Sequence, residues 1–373
     1  MMTQERGQDV QAGKPRRRWL WITLYVLGLA LLLEAGARLT WRVIDTSWGL
    51  VVPQDVSRFD PVYGWSLVPG ACSVSKATGR PVEYRINSHG VRGPEIAYAK
   101  PAGTARIVLL GDSHAFGFGV PAAYHFSSLL EGYLPGVQVV NLGVNGYGIA
   151  QELLYLTREG FKYQPDLVIA YVPHYADWRH MRDKVWGMGK PYYRLEDGKL
   201  VLTNCPVTNN NRLHVAALNL DRFLSHWSRA YQLVRDTVLH FVITREQLVG
   251  AKRPAKAAAA TPPAASPPAL TPTAPDPSSD PRFAAAEQVG EAIVDAMAAA
   301  SAAHGARFLL VTRVLPLARY AEAKGMACLV IGAPLNNHRL ALPHDPTHHP
   351  NEAANGIIAW SIADCIATHH LLP

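Results

Sequence analysis

Apolar positions first come in one unbroken block. "WLWITLYVLGLALLL", residues 19 to 33, carries no charge and shows no polar face at helical spacing. With "EAGA" after it the helix reaches Arg38, about the length of a short membrane span, which needs roughly 17 to 25 residues. From residue 105 the pattern changes to short runs rich in Val, Leu and Ile: "RIVLLG" (106–111), "VQVVNL" (137–142), "LVIAYV" (167–172), "RFLLVT" (307–312) and "ACLVIG" (327–332). Uninterrupted runs of this length suit parallel strands covered on both faces. Helical patterns lie between or after them at 122–133, 149–162, 283–304, 314–324 and 352–368. Alternating βα units predict an α/β fold: a flavodoxin-like three-layer sandwich with a five-stranded parallel sheet in the order 2-1-3-4-5.

The spaces between these elements set the organisation. Residues 42 to 104 alternate turn residues with strand-like pieces, in "DPVYGWSLVPG" and "EYRINSHGVRGPE", and form an irregular lead-in that wraps the α/β domain. Some 130 residues separate the third strand from the fourth. Within them "PYYRLEDGKLVLTNCPV" predicts a hairpin around Glu196, Asp197 and Gly198, and "LNLDRFLSHWSRAYQLVRDTVLHF" an amphipathic helix. The Pro/Ala-rich tract at 251–282 predicts a disordered surface loop inside the domain 105–373, because strands on both sides of it are needed to complete the sheet.

Charge refines the first block. The net charge of +7 owes much to the amino end, where Arg6, Lys14, Arg16, Arg17 and Arg18 outweigh Glu5 and Asp9. No later basic run is interleaved with aromatics, so nucleic acid is not an expected partner. Basic residues ahead of an apolar helix, with Trp19, Trp21 and Tyr25 at its start, predict a cytoplasmic tail (1–18), a single transmembrane anchor (19–38) in the inner membrane, and a periplasmic or extracellular remainder. Ala35-Gly36-Ala37 also fits a signal-peptide cleavage site, but Glu34 and Arg38 flank it, and an uncleaved anchor is the preferred reading. The four cysteines, Cys72, Cys205, Cys328 and Cys365, lie too far apart for a metal site or a disulfide framework, and no metal or cofactor is expected.

Two segments carry candidate chemistry. The first strand ends in Gly111-Asp112-Ser113, which sets a small hydroxyl at the carboxyl edge of the sheet, where open α/β sheets hold their ligands. Ser113 reads either as a helix N-cap or as a nucleophile. The last strand leads into "LPHDPTHHPNEAANGIIAW" at that same edge. A serine attacks an ester only with a base to remove its proton, and a histidine base needs a carboxylate to fix its tautomer. Asp345 with His348 or His349 supplies both within one loop. His114 reads as pocket lining and Asp112 as a turn cap.

With "LLGDSH", "VVNLGVNGYG" and "DPTHHPN" the chain resembles the SGNH/GDSL hydrolase superfamily over roughly residues 55 to 370, and its lead-in resembles that of bacterial, membrane-anchored members. The resemblance implies Ser113 as nucleophile, Gly143 as an oxyanion amide donor, and Asp345 with one of two histidines. Asp-x-x-His selects His348; His-Pro-Asn ahead of the last helix selects His349, which is preferred because its distance from the helix start fixes where the ring points. The family's Gly-x-Asn-Asp block is replaced here by "YVPHYADWRH", whose Asp177 matches the final Asp but which lacks the oxyanion Asn, leaving His174 or Tyr175 as substitutes. The activity implied is a serine esterase acting on an O-acyl ester, with acetyl the expected acyl group and an acylated carbohydrate of the cell envelope the expected substrate. The alternatives are an O-acyltransferase that modifies an envelope polysaccharide, and a non-catalytic binding protein on a degenerate hydrolase fold.

Overall fold

The computed structural model describes residues 15–43, 56–75, 81–173, 182–185, 188–208, 224, 227–231, 234, 281–332, 338–343, 345 and 348–373. The chain divides into two compact units: residues 1–46 with 211–254, and residues 47–210 with 255–373. In the first, helix α1 (Pro15–Val43) contains Trp19–Ala37, a segment with mean hydropathy 1.9 that is long and apolar enough to cross a membrane. The amphipathic helix expected from "LNLDRFLSHWSRAYQLVRDTVLHF" is interrupted. Leu224 and Trp227 are helical, Ser228 is not, and helical backbone resumes at 229–231 and at 234. The Pro/Ala-rich tract lies outside the described residues up to position 280.

In the second unit the lead-in forms two small hairpins, β1 (Ser57–Asp60) with β2 (Gly64–Leu67) and β3 (Cys72–Ser75) with β4 (Val82–Arg85). The main sheet begins after them: β5 (Ala105–Gly111), α2 (Ser113–Phe116), α3 (Phe126–Tyr133), β6 (Val137–Asn141), α4 (Ile149–Arg158) and β7 (Leu167–Val172). Four short strands come next: β8 (Lys184–Val185), β9 (Met188–Gly189), β10 (Tyr192–Glu196) and β11 (Lys199–Thr203). The sheet resumes after α5 (Pro281–Ala303) with β12 (Arg307–Thr312), α6 (Leu315–Ala323), β13 (Ala327–Val330) and α7 (Glu352–Thr368).

The five main strands lie in the order β13-β12-β7-β5-β6, all pairs parallel, which is the expected 2-1-3-4-5 arrangement. Alternate residues feed opposite faces. Val108, Leu110, Val168 and Ala170 pack with Leu153, Ile293 and Met297 from α4 and α5, and Trp65, Tyr84 and Ile86 of the lead-in join that face. Ile107, Leu109, Ile169 and Leu309 pack on the other face against Phe126 and Leu130 of α3 and Ile358 and Ile362 of α7. Burying both faces is what makes these strands continuous apolar runs. The hairpin at β10–β11 turns at Asp197 and Gly198, both with positive φ, as a two-residue turn between twisted strands requires. The helix expected at 122–133 is split into a 3-10 turn at Ala122–Tyr124 and an α-helix from Phe126, because His125 between them is extended (φ −77°, ψ 143°) and accepts a hydrogen bond from the Ser127 N–H.

Candidate active site

The site starts from a glycine. Gly111 ends β5 at φ +156°, and a Cβ there would stand 2.6 Å from the Ala115 Cβ, so only glycine lets the chain turn this sharply. Asp112 then caps the turn by accepting the His114 N–H at 2.9 Å. The capping role is therefore filled by Asp112, and Ser113 stands as the first residue of α2.

One helical turn leaves carbonyls short of partners, since the Gly117 and Phe118 amides reach only those of Ser113 and His114. Here side chains from three other segments supply donors. His125 Nε2 donates to the His114 carbonyl at 3.0 Å, and Asn141 Nδ2 donates to that of Ala115 at 2.7 Å. Arg92, from the lead-in, donates to Phe116, to Gly117 at 2.6 Å and to Val120 at 2.7 Å. The guanidinium lies over the rings of Tyr84 and Phe116, at 4.7 and 5.0 Å from their centroids. Burial draws its pKa down to about 10, which leaves it charged at neutral pH. Burial, reinforced by the Arg92 charge, pushes the His125 imidazole down to about 3, so it is neutral and its Nε2 carries the proton it donates.

The base arrives from the loop before α7. His349 Nε2 is 2.6 Å from Ser113 Oγ, and His349 Nδ1 is 2.6 Å from Asp345 Oδ2. The same carboxylate oxygen accepts the His349 backbone N–H at 2.7 Å, so one atom fixes both the ring and its main chain. The His349 and Asp345 side chains are only 10% and 4% exposed, which keeps water from competing for this hydrogen bond. His348 is exposed, with φ +57°, and its backbone N–H bonds to the Asp345 carbonyl at 3.2 Å. The left-handed residue turns the chain so that the next side chain faces Ser113. Of the two histidines, His349 is the one brought to Ser113. The Asn351 side chain then caps α7 by accepting the Ala354 N–H at 3.0 Å.

His114 lines the site as expected, its ring centroid 5.0 Å from that of His349. The Phe118 ring also packs against His349, at 4.7 Å. Gly143 departs from its expected role. Its N–H donates to Asn141 Oδ1 at 2.9 Å, and a Cβ there would sit 2.3 Å from the Phe116 nitrogen. Position 143 is glycine because the loop after β6 lies directly against the nucleophile turn, and its amide is engaged inside that contact. His174, Tyr175 and Asp177 lie outside the described residues. Among the described residues no cluster of His, Cys, Asp and Glu could hold a metal ion.

Sequence reasoning missed Arg92, His125 and Asn141. Their roles are side-chain caps on main-chain carbonyls that are distant in sequence, and no local pattern announces such a contact. The nearest signal was "NSHGVRGPE", which marked the lead-in as part of the resemblance without assigning Arg92 a task. The lead-in braces the site twice more. Trp65 Nε1 donates to the Asn145 carbonyl at 2.9 Å while the Tyr147 hydroxyl donates to the Trp65 carbonyl at 2.7 Å, and the Gly119 N–H donates to the Tyr84 hydroxyl at 2.8 Å.

No family model matches the chain, and no curated protein matches it. Solved structures do. One is that of TesA, 12% identical over 71% of this chain and 99% of that one, with a TM-score of 0.38. A second is the psychrotrophic esterase EstA from Pseudoalteromonas sp., 12% identical over 71% and 97%, TM-score 0.36. A third is a two-domain esterase active on acetylated mannans, 11% identical over 72% and 50%, TM-score 0.34. These likenesses are distant, and the chemistry of the site is read from its own geometry.

Proposed function

We propose that the chain is a serine ester hydrolase of the SGNH/GDSL type that works through an acyl-serine intermediate. The observation that carries this reading is the His349 ring held between Ser113 Oγ and Asp345 Oδ2 at 2.6 Å on each side. Ser113 Oγ attacks the ester carbonyl carbon and its proton passes to His349 Nε2, while the carbonyl π electrons move onto oxygen. Asp345 holds the Nδ1 proton and stabilises the imidazolium that forms. The tetrahedral intermediate collapses, and the bond to the alcohol oxygen breaks as the imidazolium returns its proton to that oxygen. Water, activated by the same imidazole, then attacks the acyl-Ser113 carbonyl and releases the carboxylic acid and the free serine.

The developing oxyanion needs donors, each worth about 3 kcal/mol. The Ser113 N–H, first in α2, has no acceptor within its own helix by position. The Val144 N–H bonds to the Gly111 carbonyl at 3.1 Å and lays the loop from 144 onward beside the turn. His174 is the expected side-chain donor in place of the missing Asn.

The substrate we propose is an O-acetylated carbohydrate, with Trp19–Ala37 anchoring the chain and the catalytic unit on the outer side of the inner membrane. The apolar span preceded by basic residues supports the location. The test uses the full chain in detergent, with a fluorophosphonate probe and p-nitrophenyl acetate, butyrate and octanoate. Wild type and His348→Ala should be labelled and turn over acetate fastest. Ser113→Ala and His349→Ala should do neither. Labelling that persists in Ser113→Ala would overturn the reading. A stoichiometric burst of nitrophenol followed by a stall would identify an acyltransferase waiting for an alcohol acceptor.

A further inference from the structure

A carboxylate inside an apolar span needs a partner, because hydrocarbon offers none. Glu34 lies 15 residues past Trp19, roughly 22 Å along the helix and in the last turn before Ala37. It has partners from far along the chain. Ser228 Oγ donates to Glu34 Oε2 at 2.7 Å, the Arg229 N–H donates to Oε1 at 2.8 Å, and the Ala230 N–H donates to Oε2 at 3.2 Å. Ser228 in turn caps the helical backbone at 229–231 by accepting the Tyr231 N–H at 3.0 Å. Glu34 therefore receives the first two amides of a second helical segment together with the hydroxyl of its cap. Negative charge at that end is favoured by the helix dipole as well as by the hydrogen bonds.

We propose that Glu34 clamps the segment 227–234 to the outward end of the span, where it lies on the bilayer surface with Trp227 and Val234 in contact with lipid. Both side chains are exposed, at 63% and 62%, in the same compact unit as the span. Tryptophan suits the headgroup boundary, where one end of the ring is apolar and the other wet. Tyr231 and Val234 are both helical and stand three positions apart, the spacing of neighbours on one helix face. Lipid is the occupant the site favours because the clamp is made to a residue of the span itself. The contact also joins a residue ahead of Ala35-Gly36-Ala37 to one nearly 200 positions later, so it requires the anchor to remain uncleaved.

The proposal rests on reading Trp19–Ala37 as a span, and the experiment separates the two. The full chain is placed in nanodiscs containing a diazirine-bearing phosphatidylcholine, photolysed and mapped by mass spectrometry. Hydrogen exchange is followed at residues 224–234. Wild type should carry lipid adducts both on Trp19–Ala37 and on 227–234, with slow exchange at Arg229 and Ala230. Glu34→Ala should lose the second set of adducts at least tenfold and exchange those amides at least tenfold faster, while Ser113 still reacts with the fluorophosphonate probe. Glu34→Gln, which keeps an acceptor oxygen, should fall between. Adducts on the span but none on 227–234 in wild type would overturn the proposal alone, as would a Glu34→Ala pattern equal to wild type. Absence of adducts on Trp19–Ala37 would overturn the span reading and the proposal together.

Discussion

Replacing Asp345 by Asn isolates the charge in the Asp–His pair. An Asn oxygen in place of Oδ2 can still accept the His349 backbone N–H, now held at 2.7 Å, so the loop should keep its course. What disappears is the attraction between a carboxylate and the imidazolium formed in the transition state. The two groups meet at 2.6 Å with the His349 and Asp345 side chains 10% and 4% exposed, so bulk screening does not apply. With charge centres about 4 Å apart and an effective dielectric constant near 20, the lost attraction is about 4 kcal/mol. Each 1.36 kcal/mol of barrier is tenfold in rate, so turnover should fall by roughly a thousandfold. The assay is p-nitrophenyl acetate hydrolysis and the rate constant for fluorophosphonate labelling, with the melting temperature measured alongside. Both rates should collapse while the melting temperature moves by only a few degrees. A variant within tenfold of wild type would refute the assignment of Asp345 as the partner of a catalytic His349.

The other predictions concern the groups that hold the turn. Arg92→Lys leaves at least one of three buried carbonyls without its donor, at about 1–3 kcal/mol each, so melting temperature should drop and labelling slow by about tenfold or more; an unchanged labelling rate would show that the turn holds without the guanidinium. Gly143→Ala puts a methyl group 2.3 Å from the Phe116 nitrogen and 2.4 Å from the Ala115 carbonyl carbon, and should both destabilise the chain and abolish labelling; a folded, active variant would contradict the close packing. His125 is neutral when folded, with a pKa of about 3, whereas the unfolded chain titrates near 6.5. The unfolded state binds the extra proton between those values, so stability is complete above pH 6.5 and falls toward pH 3 by up to about 1.4 kcal/mol per unit. Urea midpoints from pH 7 to 4 should decline less steeply in His125→Gln than in wild type, and equal slopes would count against this.

The two ends of the active site were legible separately. A strand that stops at Gly-Asp-Ser and a loop that carries Asp345 and two histidines ahead of a helix are local patterns, and strand order brought both to one sheet edge. The choice between His348 and His349 was decided by one backbone angle, since the left-handed His348 turns its neighbour inward. Gly143 has a second reason to be glycine that no local pattern displays. The resemblance implies an oxyanion donor there, and in the structure the Gly143 N–H bonds to Asn141 Oδ1 while the loop packs so closely on residues 115 and 116 that glycine is needed for room.

Periodicity and composition by themselves determined the apolar span, the five strands, the hairpin turn at Asp197-Gly198, and the residue types able to perform ester chemistry. Each depends on neighbours a few positions apart, and a pattern can display that directly. Tertiary structure alone decided the hydrogen bonds that close over the nucleophile turn, from Arg92, His125 and Asn141, and the partner of Glu34 at Ser228. Those contacts join positions between 11 and nearly 200 residues apart. They exist because carbonyls, amides and a carboxylate withdrawn from water must find partners wherever the packed chain places them.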